Sequence, residues 1–566
     1  MANGMGSLYI GASGLQNSQN ALNTTANNLA NLDTKGYVRQ QVIFADREYV
    51  TFGKPSAISK QQAGLGLKIA DVVHTRDYFL DRYYRTENGR QSFYETTAEA
   101  VEEVEDMFQE MEGETFQEML ESFKESFDEF AKGPDTEVYQ NLVVQKATLF
   151  VSRVKEIYSD MKTYQSKVNV KIRENIDKIN ELGHKIQDLN QQILKIESGG
   201  IETAMTLRDE RDNALDELST YAKVDFSEGV DGTVRVKLED VEFLDEVHVY
   251  EIKGITDEIT GFVTPIWPQL SDIERGRYTE MFNFSVDISP ELNTDIGTLK
   301  ALVLARGDKI ANYTDVAGLT AKEYNDGAGM STMLSAQAEL DQFMHLIVTG
   351  INDILSPTVN KSFMGKDGVY YDNVRVWDEE NGCLGAGEEK PGQELFSRRG
   401  MERYRKVEAT DGTVYYVYNE ENTKDTTTMY TIQNLVVNPA LEEAESRLPH
   451  MEPNGKDVAM GMAQKLAELW SKKDYIVNPN NTAPTDFIGY YNRMIGEIGS
   501  KGHVYQGLAT DLSSEVSTID NNRQQVFGVS SDEELQNMIK YQNAYNAASR
   551  FINVISEMLE HLVTRM

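Results

Sequence analysis

LYIGASGLQNSQNALNTTANNL, residues 8–29, sets one leucine at every seventh position, Leu8, Leu15, Leu22 and Leu29, with Met5, Ala12 and Ala26 filling the same seam. A seven-residue apolar period is the narrow stripe of a coiled-coil helix. At the other end of the chain, Tyr541, Tyr545, Ala548, Ile552, Ile555, Leu559 and Leu562 step by fours and threes and make a second seam. The two stripes suit each other, or other copies. From Met1 to Thr34 there is no Lys, Arg or His, Asp33 is the only charge, and Asn is frequent. A lone helix in water usually carries charged pairs, so uncharged amides and hydroxyls fit a face packed against other subunits. Leu8, Leu15, Leu22 and Leu29 are therefore expected to pack on Tyr545, Ile552, Leu559 and Leu562 within one subunit, with the Asn-rich face toward neighbours. Isolated, such helices bury too little to offset their ordering entropy, and they are expected to order on assembly.

Between the ends, prolines divide the chain. None occurs before Pro55, between Pro134 and Pro265, or after Pro484, and these stretches hold the strongest helical periodicity. The longest predicted helix runs from Tyr139 to Glu197 on a seam that includes Ile157, Met161, Val168, Ile176, Ile186 and Ile193, and stops at Gly199-Gly200. Phe116, Leu120, Phe123, Phe127 and Phe130 mark a helix before it, closed by Gly133-Pro134; Leu207 to Ser219 and Leu334 to Ile354 mark two more. These read as an elongated helical bundle. Alternation predicts strands at Thr233 to Leu238, Val247 to Ile252, Val369 to Tyr371 and Thr413 to Tyr418. The fold class is thus α+β and multidomain: terminal coiled-coil helices and an elongated helical bundle with inserted mainly-β domains. The expected division is 1–50 with 505–566 for the terminal unit, 51–223 with 293–355 and 456–504 for the bundle, and 224–292 and 356–455 for the insertions.

Composition narrows the function. The 566 residues carry a formal net charge of −36, which disfavours binding to nucleic acid or an anionic membrane. Cys383 is the single cysteine, so no intramolecular disulfide or cysteine metal site forms. No stretch has the apolar length of a membrane span or the regions of a cleaved signal, and composition alone reads as cytoplasmic. The seven histidines make no HExxH or other close metal pair. There is no phosphate-cradling loop, and the carboxylates from Glu99 to Glu121 read as a solvated helix face rather than an acid–base pair. Arg306-Gly307-Asp308 follows a predicted helix and reads as a turn rather than an adhesion site. No cofactor, metal or catalytic residue is expected.

Four stretches carry a resemblance. TANNLANLDTKGY (Thr25 to Tyr37) resembles the N-terminal signature of bacterial flagellar axial proteins, the rod, hook and hook-associated proteins. GLGLKIADVVHTRDYFLDRYYRTE (Gly64 to Glu87), LRDERDNALDELS (Leu207 to Ser219) and the run from Arg523 to Val563 resemble, within that superfamily, the hook-associated protein 1 family of hook–filament junction proteins. Roughly the first 225 and last 80 residues share the likeness; Phe527 and Ser531 depart from the pattern where smaller or amide residues are usual. The resemblance implies a structural adaptor at the distal end of the hook, outside the cell, exported through the flagellar type III apparatus without a cleaved signal. It implies as partners the hook protein, hook-associated protein 3, a cytoplasmic export chaperone and further copies in a ring-like junction. Candidate assembly residues are Leu8, Leu15, Leu22, Asn28, Leu29 and Tyr37 at one end, and Tyr541, Tyr545, Ile552, Ile555, Leu559 and Leu562 at the other. Alternatives are another axial protein (hook-associated protein 3 or the hook protein), an enzyme domain in residues 356–455 displayed on a flagellar scaffold, and a cytoplasmic coiled-coil scaffold.

Overall fold

The computed structural model describes residues 2–34, 36–47, 49–51, 62–74, 76–108, 115–199, 203–387 and 389–564. Helix α1 (Ala2–Ala30) leads into strands β1 (Gln40–Asp46), β2 (Tyr49–Thr51), β3 (Gln62–Gly64) and β4 (Leu67–His74), with β1 antiparallel to β4 and β2 to β3. Helices α2 (Tyr78–Phe108), α3 (Phe116–Phe130), α4 (Glu137–Glu197) and α5 (Met205–Tyr221) follow. A small β region then holds β5 (Val224–Glu228), β6 (Val234–Leu238) and β7 (Val241–Leu244) in one sheet, and β8 (Lys253–Thr256) paired with β9 (Val263–Ile266). The chain returns through α6 (Thr298–Arg306), α7 (Ala321–Asn325) and α8 (Thr332–Leu355). A second β region contains β10 (Thr358–Met364), β11 (Tyr370–Trp377), β12 (Phe396–Arg398), β13 (Tyr404–Glu408), β14 (Val414–Tyr418) and β15 (Leu435–Val437). Its sheets are β10-β11-β14-β13 and β12-β15. Helices α9 (Pro439–Glu443), α10 (Met460–Leu469), α11 (Phe487–Phe527) and α12 (Ser531–Thr564) complete the order.

Helix α4 organises the body. Its 61 residues span about 90 Å at the α-helical rise, and its apolar seam enters two cores in turn. Val143 to Met161 pack in one core with the phenylalanines of α3, with α8 and with Trp470, Tyr490 and Tyr491. Val168 to Ile186 pack in the other with Leu215 and Leu218 of α5, the strands β6, β7 and β9, and Trp267. The start of α3 is fixed by a capping box, in which the Thr115 hydroxyl accepts from the Glu118 amide and Glu118 reaches back to the Thr115 amide. Helices α2 and α11 run antiparallel, as the Asp81–Arg523 and Tyr94–Tyr505 pairs show. Helix α11 continues unbroken past residues 504 and 505 and joins the bundle to the terminal unit.

Residues Val247 to Ile252 do not form the expected strand; a single bridge, Leu244 to Val249, interrupts an irregular link before β8. Their polar groups are taken elsewhere. The Asp245 carboxylate accepts from the Val247 and His248 amides, and the Asn180 side chain of α4 accepts from the Ile252 amide and donates to its carbonyl. A side chain that satisfies the backbone in this way removes the ladder's advantage. The strand pairs β1–β4 and β2–β3 lie outside the sequence expectations altogether. Among the calls at segment ends, Lys35 and Gly200 lie outside the described residues.

Candidate assembly site

The chain ends form an antiparallel helix pair. A Cβ at Gly11 would lie 2.6 Å from Cγ1 of Ile552, a Cβ at Gly14 would lie 3.4 Å from Cβ of Ala548, and Asn28 reaches Glu534, so α1 and α12 run in opposite directions in fixed register. The glycines permit this close approach. Leu8, Leu15, Leu22 and Leu29 are half-buried, as are Tyr541, Tyr545, Ile552, Ile555 and Leu559; the side chain of Leu562 lies outside the described ones. Fully buried positions along α1 are mostly small or polar: Ser13, Ser18, Ala21, Thr25 and Asn28. The register sets Leu15 opposite Ala548 and Leu22 near Tyr541, and puts Leu29 beside the first turn of α12, far from Leu562. The Phe44 ring of β1 meets the Tyr541 ring edge-on at 6.0 Å, so the hairpin braces the pair.

Two faces of this pair stay uncovered by the described residues. One is the uncharged face of α1, with Gln16, Asn20, Asn23 and Asn27 exposed. The other is a second apolar stripe on α12, Phe551, Val554 and Met558, spaced by three and four and 41%, 52% and 57% exposed.

Asn28 ties the pair to the hairpin. It is 1% exposed. Its amide group donates to the Gln40 carbonyl (3.0 Å) and the Glu534 carboxylate (3.2 Å), while its oxygen accepts from the Tyr37 hydroxyl (2.9 Å) and the Gln40 N–H (3.1 Å). Arg39 adds ion pairs to Glu533 and Glu534 at 2.8 and 2.7 Å, and its backbone N–H donates to the Phe527 carbonyl. Asn28 and Tyr37 of the expected set thus meet at one point with Glu534 and Arg39, which sequence reasoning missed. The acidic run Asp532-Glu533-Glu534 reads locally only as a favourable first turn of α12.

Below this point the LRDERDNALDELS stretch, on α5, receives the arm. Gly36 takes φ +77°, and a Cβ there would overlap the Asn213 amide. The Val38 amide donates to Asp209. Burial pushes the Asp209 carboxyl up to about 7, against the partial relief of the Val38 amide and Arg76. Next to it, Arg76 pairs with Asp81 at 2.6 Å and with Asp212, Arg85 pairs with Asp216 at 2.7 Å, and Arg523 of α11 bridges Asp81 and Asp216, both at 2.8 Å. Burial opposes the Asp212 charge, but Arg76 and Arg85 outweigh it and hold that carboxyl below the usual range. Arg76, Asp216 and Arg523 border a cleft of about 970 Å³ that also takes in Leu32, Tyr37 and Phe527. This buried ionic joint fastens α2, α5, α11 and the arm that follows α1.

No group of three or more His, Cys, Asp or Glu among the described residues is arranged to hold a metal ion, and no described helix is long and apolar enough to cross a membrane. Arg306 of the Arg-Gly-Asp run is buried, bonded to the Val263 carbonyl and Asn169. In residues 356–455, Tyr430 donates to Glu394 at 2.6 Å and Asn352 of α8 holds the Phe396 backbone, while the buried Nε and Nη2 of Arg398 and Nε1 of Trp377 have no hydrogen-bond partner among the described residues.

Three family models match the chain: Flagellar hook-associated protein FlgK helical domain over residues 101–362, Flagella basal body rod protein over 8–37, and Flagellar basal body rod FlgEFG protein C-terminal over 523–565. The chain is 25% identical to Flagellar hook-associated protein 1 of Bacillus subtilis (strain 168), covering 97% of this chain and 96% of the relative. It is 21% identical to the protein of that name in Escherichia coli (strain K12), covering 97% and 98%. A shorter likeness, 36% identity over 84 residues and 13% of this chain, links it to Flagellar hook protein FlgE of Borreliella burgdorferi, 19% of which is covered. Among solved structures, the flagellar hook junction protein FlgK from Burkholderia pseudomallei shares the fold, with TM-score 0.51 and 13% identity over 79% of this chain and 100% of that one.

Proposed function

The chain belongs to the flagellar hook-associated protein 1 family, and we propose on that footing that it is a structural adaptor that assembles at the distal end of the hook and connects it to the filament. The observation that carries this reading is the α1–α12 pair with its two uncovered faces, one uncharged and one apolar. Polymerising copies bury both kinds of face, and a monomer leaves Phe551, Val554 and Met558 in water. The partners that fit are axial proteins with the same kind of ends, the hook protein on one side and hook-associated protein 3 on the other. A cytoplasmic export chaperone would cover the α12 stripe before secretion, because it would otherwise associate early. The resulting location is the flagellum outside the cell, and the role is mechanical rather than enzymatic.

In a flagellated cell that lacks its own copy, the full chain is expected to restore filaments. Phe551→Asp with Met558→Asp is expected to leave bare hooks while the subunit still reaches the medium. Normal filaments from that double variant overturn the reading.

A further inference from the structure

Two features of the helical body lie outside the terminal unit and its joint. The first is a groove along α4. Two adjoining hollows of about 360 and 390 Å³ share Lys155 and Arg399 as lining residues. Ser152, Lys155, Ser159 and Lys162 share one face of α4 there, spaced three and four apart, and their short hydroxyls leave the lysines standing in a trough. None of Lys155, Lys162 and Arg399 forms an ion pair among the described residues, and Glu442 is the one carboxylate on the described lining. Burial, with Arg399 adding to it, lowers the Lys155 pKa, as a cation facing another cation requires. Unpaired cations stand out in a chain with 91 acidic and 55 basic residues.

The second feature is the acidic stripe of α2. Glu95, Glu99, Glu102 and Asp106 are exposed and unpaired by any cation among the described residues; Glu95 accepts only from Gln91. They are spaced 4-3-4 over about 16 Å of helix, against 3-4-3 over about 15 Å for the α4 face, so the two rows match in length. The two rows point away from each other. Glu103 and Glu99 lie close enough to Tyr164 of α4 to raise its pKa after burial does so, and Tyr164 is nine residues from Lys155, about 180° around the helix. One side of the body is therefore acidic and the opposite side holds the basic trough.

We propose that the trough of Lys155, Lys162 and Arg399 seats the Glu95–Glu99–Glu102–Asp106 stripe of a second copy, so that bodies join side to side. The two patches differ, so the contact is heterologous and repeats around a ring or along a helix instead of closing as a pair. The inference rests on the reading that copies assemble around an axis, and supplies the lateral contact between their bodies.

Charge reversal in two full-length variants tests it. One carries Lys155→Glu, Lys162→Glu and Arg399→Glu; the other carries Glu95→Lys, Glu99→Lys, Glu102→Lys and Asp106→Lys. All sites are at least partly exposed, and circular dichroism checks that both variants fold. In sedimentation velocity at rising concentration, each variant alone is expected to self-associate about tenfold or more weakly than the parent. An equimolar mixture is expected to recover association, since each chain then offers the other a matching patch. A mixture that associates no better than its components overturns the proposal, as does a parent chain with no association for either reversal to weaken. If the mixture fails while Phe551→Asp with Met558→Asp still leaves bare hooks, the lateral contact falls and the adaptor reading stands. Normal filaments from that terminal variant remove the adaptor reading instead.

Discussion

Replacing Asn28 by Ala separates the terminal unit from its hairpin without touching the apolar seam. The side chain makes four hydrogen bonds at 2.9–3.2 Å. Truncation leaves the Gln40 N–H and C=O, the Tyr37 hydroxyl and one oxygen of Glu534 without that partner. Gln40 and Tyr37 are half-buried, so water relieves part of the loss and each orphaned group falls at the low end of the roughly 1–3 kcal/mol range. The sum is about 3 kcal/mol, or about a hundredfold in the equilibrium for opening this joint. Amide hydrogen exchange on the full chain reads that equilibrium directly. Protection over β1 and the first turns of α12 is expected to fall by about two orders of magnitude, with α3 and α4 unchanged. Asn23→Ala, at an exposed position of the same helix, is the matched control. Asn28→Asp keeps the acceptor for Tyr37 and Gln40 but sets a carboxylate against Glu534, so its loss is expected to shrink as the pH falls toward carboxylate pKa values. Exchange within threefold of the parent in Asn28→Ala, or an equal effect from Asn23→Ala, refutes the assignment of Asn28 as the tie.

Four further outcomes follow from the same structure. Burial raises Glu339 from 4.5 to about 7, although Tyr324 and Asn478 donate to it. Folding therefore favours its protonated form: its contribution is complete below the unfolded pKa and lost as pH rises through about 7. Glu339→Gln is expected to match the parent's thermal midpoint near pH 4 and exceed it by pH 8; parallel pH profiles would count against this. Gly11→Leu forces a side chain into Ile552 and is expected to splay α1 from α12, seen as loss of exchange protection confined to those helices; unchanged protection contradicts the register. Cys383 is buried and its thiol is pushed up to about 11 by burial first and Glu452 second, so a thiol reagent near neutral pH is expected to label it only at the rate of unfolding; prompt labelling of the native chain shows otherwise. Protease treatment of the dilute chain is expected to remove the two ends well before the body, because the α1–α12 seam is half-buried at most positions; resistant ends in a monomer speak for a finished coiled coil and against completion by neighbours.

Long periodic helices were legible because many residues vote for one answer. The reading of Tyr139 to Glu197 falls within two residues of α4, and the phenylalanine stripe, LRDERDNALDELS and Leu334 to Ile354 each lie inside a helix, α3, α5 and α8. The β1–β4 hairpin was missed although Leu67-Lys68-Ile69-Ala70-Asp71-Val72 alternates over part of its length, since a two-strand ribbon has few positions to vote. Val247 to Ile252 alternate as well, and failed for a different reason: the deciding partner, Asn180, lies on α4, 72 residues away from Ile252. The tie between Asn28 and Glu534 spans 506 residues. Asn28 was among the candidate assembly residues, but pattern reading has no means of showing that it alone is buried among the described asparagine side chains of α1 and that its partner is Glu534.

The same distinction explains why the terminal unit is fastened through ions and amides. Apolar burial is tolerant of small shifts, whereas a desolvated ion pair that loses its geometry loses several kcal/mol, so a buried network contributes little net stability and much definition of position. Arg76, and likewise Arg523 of α11, bridges Asp81 of α2 to a carboxylate of α5, Arg85 of α2 takes both Asp212 and Asp216 of α5, and Arg39 with Asn28 does the corresponding work between the hairpin and α12. The joint thereby sets the direction in which the helix pair leaves the body. The exposed apolar residues of that pair, Phe551, Val554 and Met558, are on the proposed reading left over for contacts with other subunits. A stronger intramolecular seam would consume those residues, so a precise polar joint combined with an incomplete apolar pair is the arrangement that an adaptor completed by its neighbours requires.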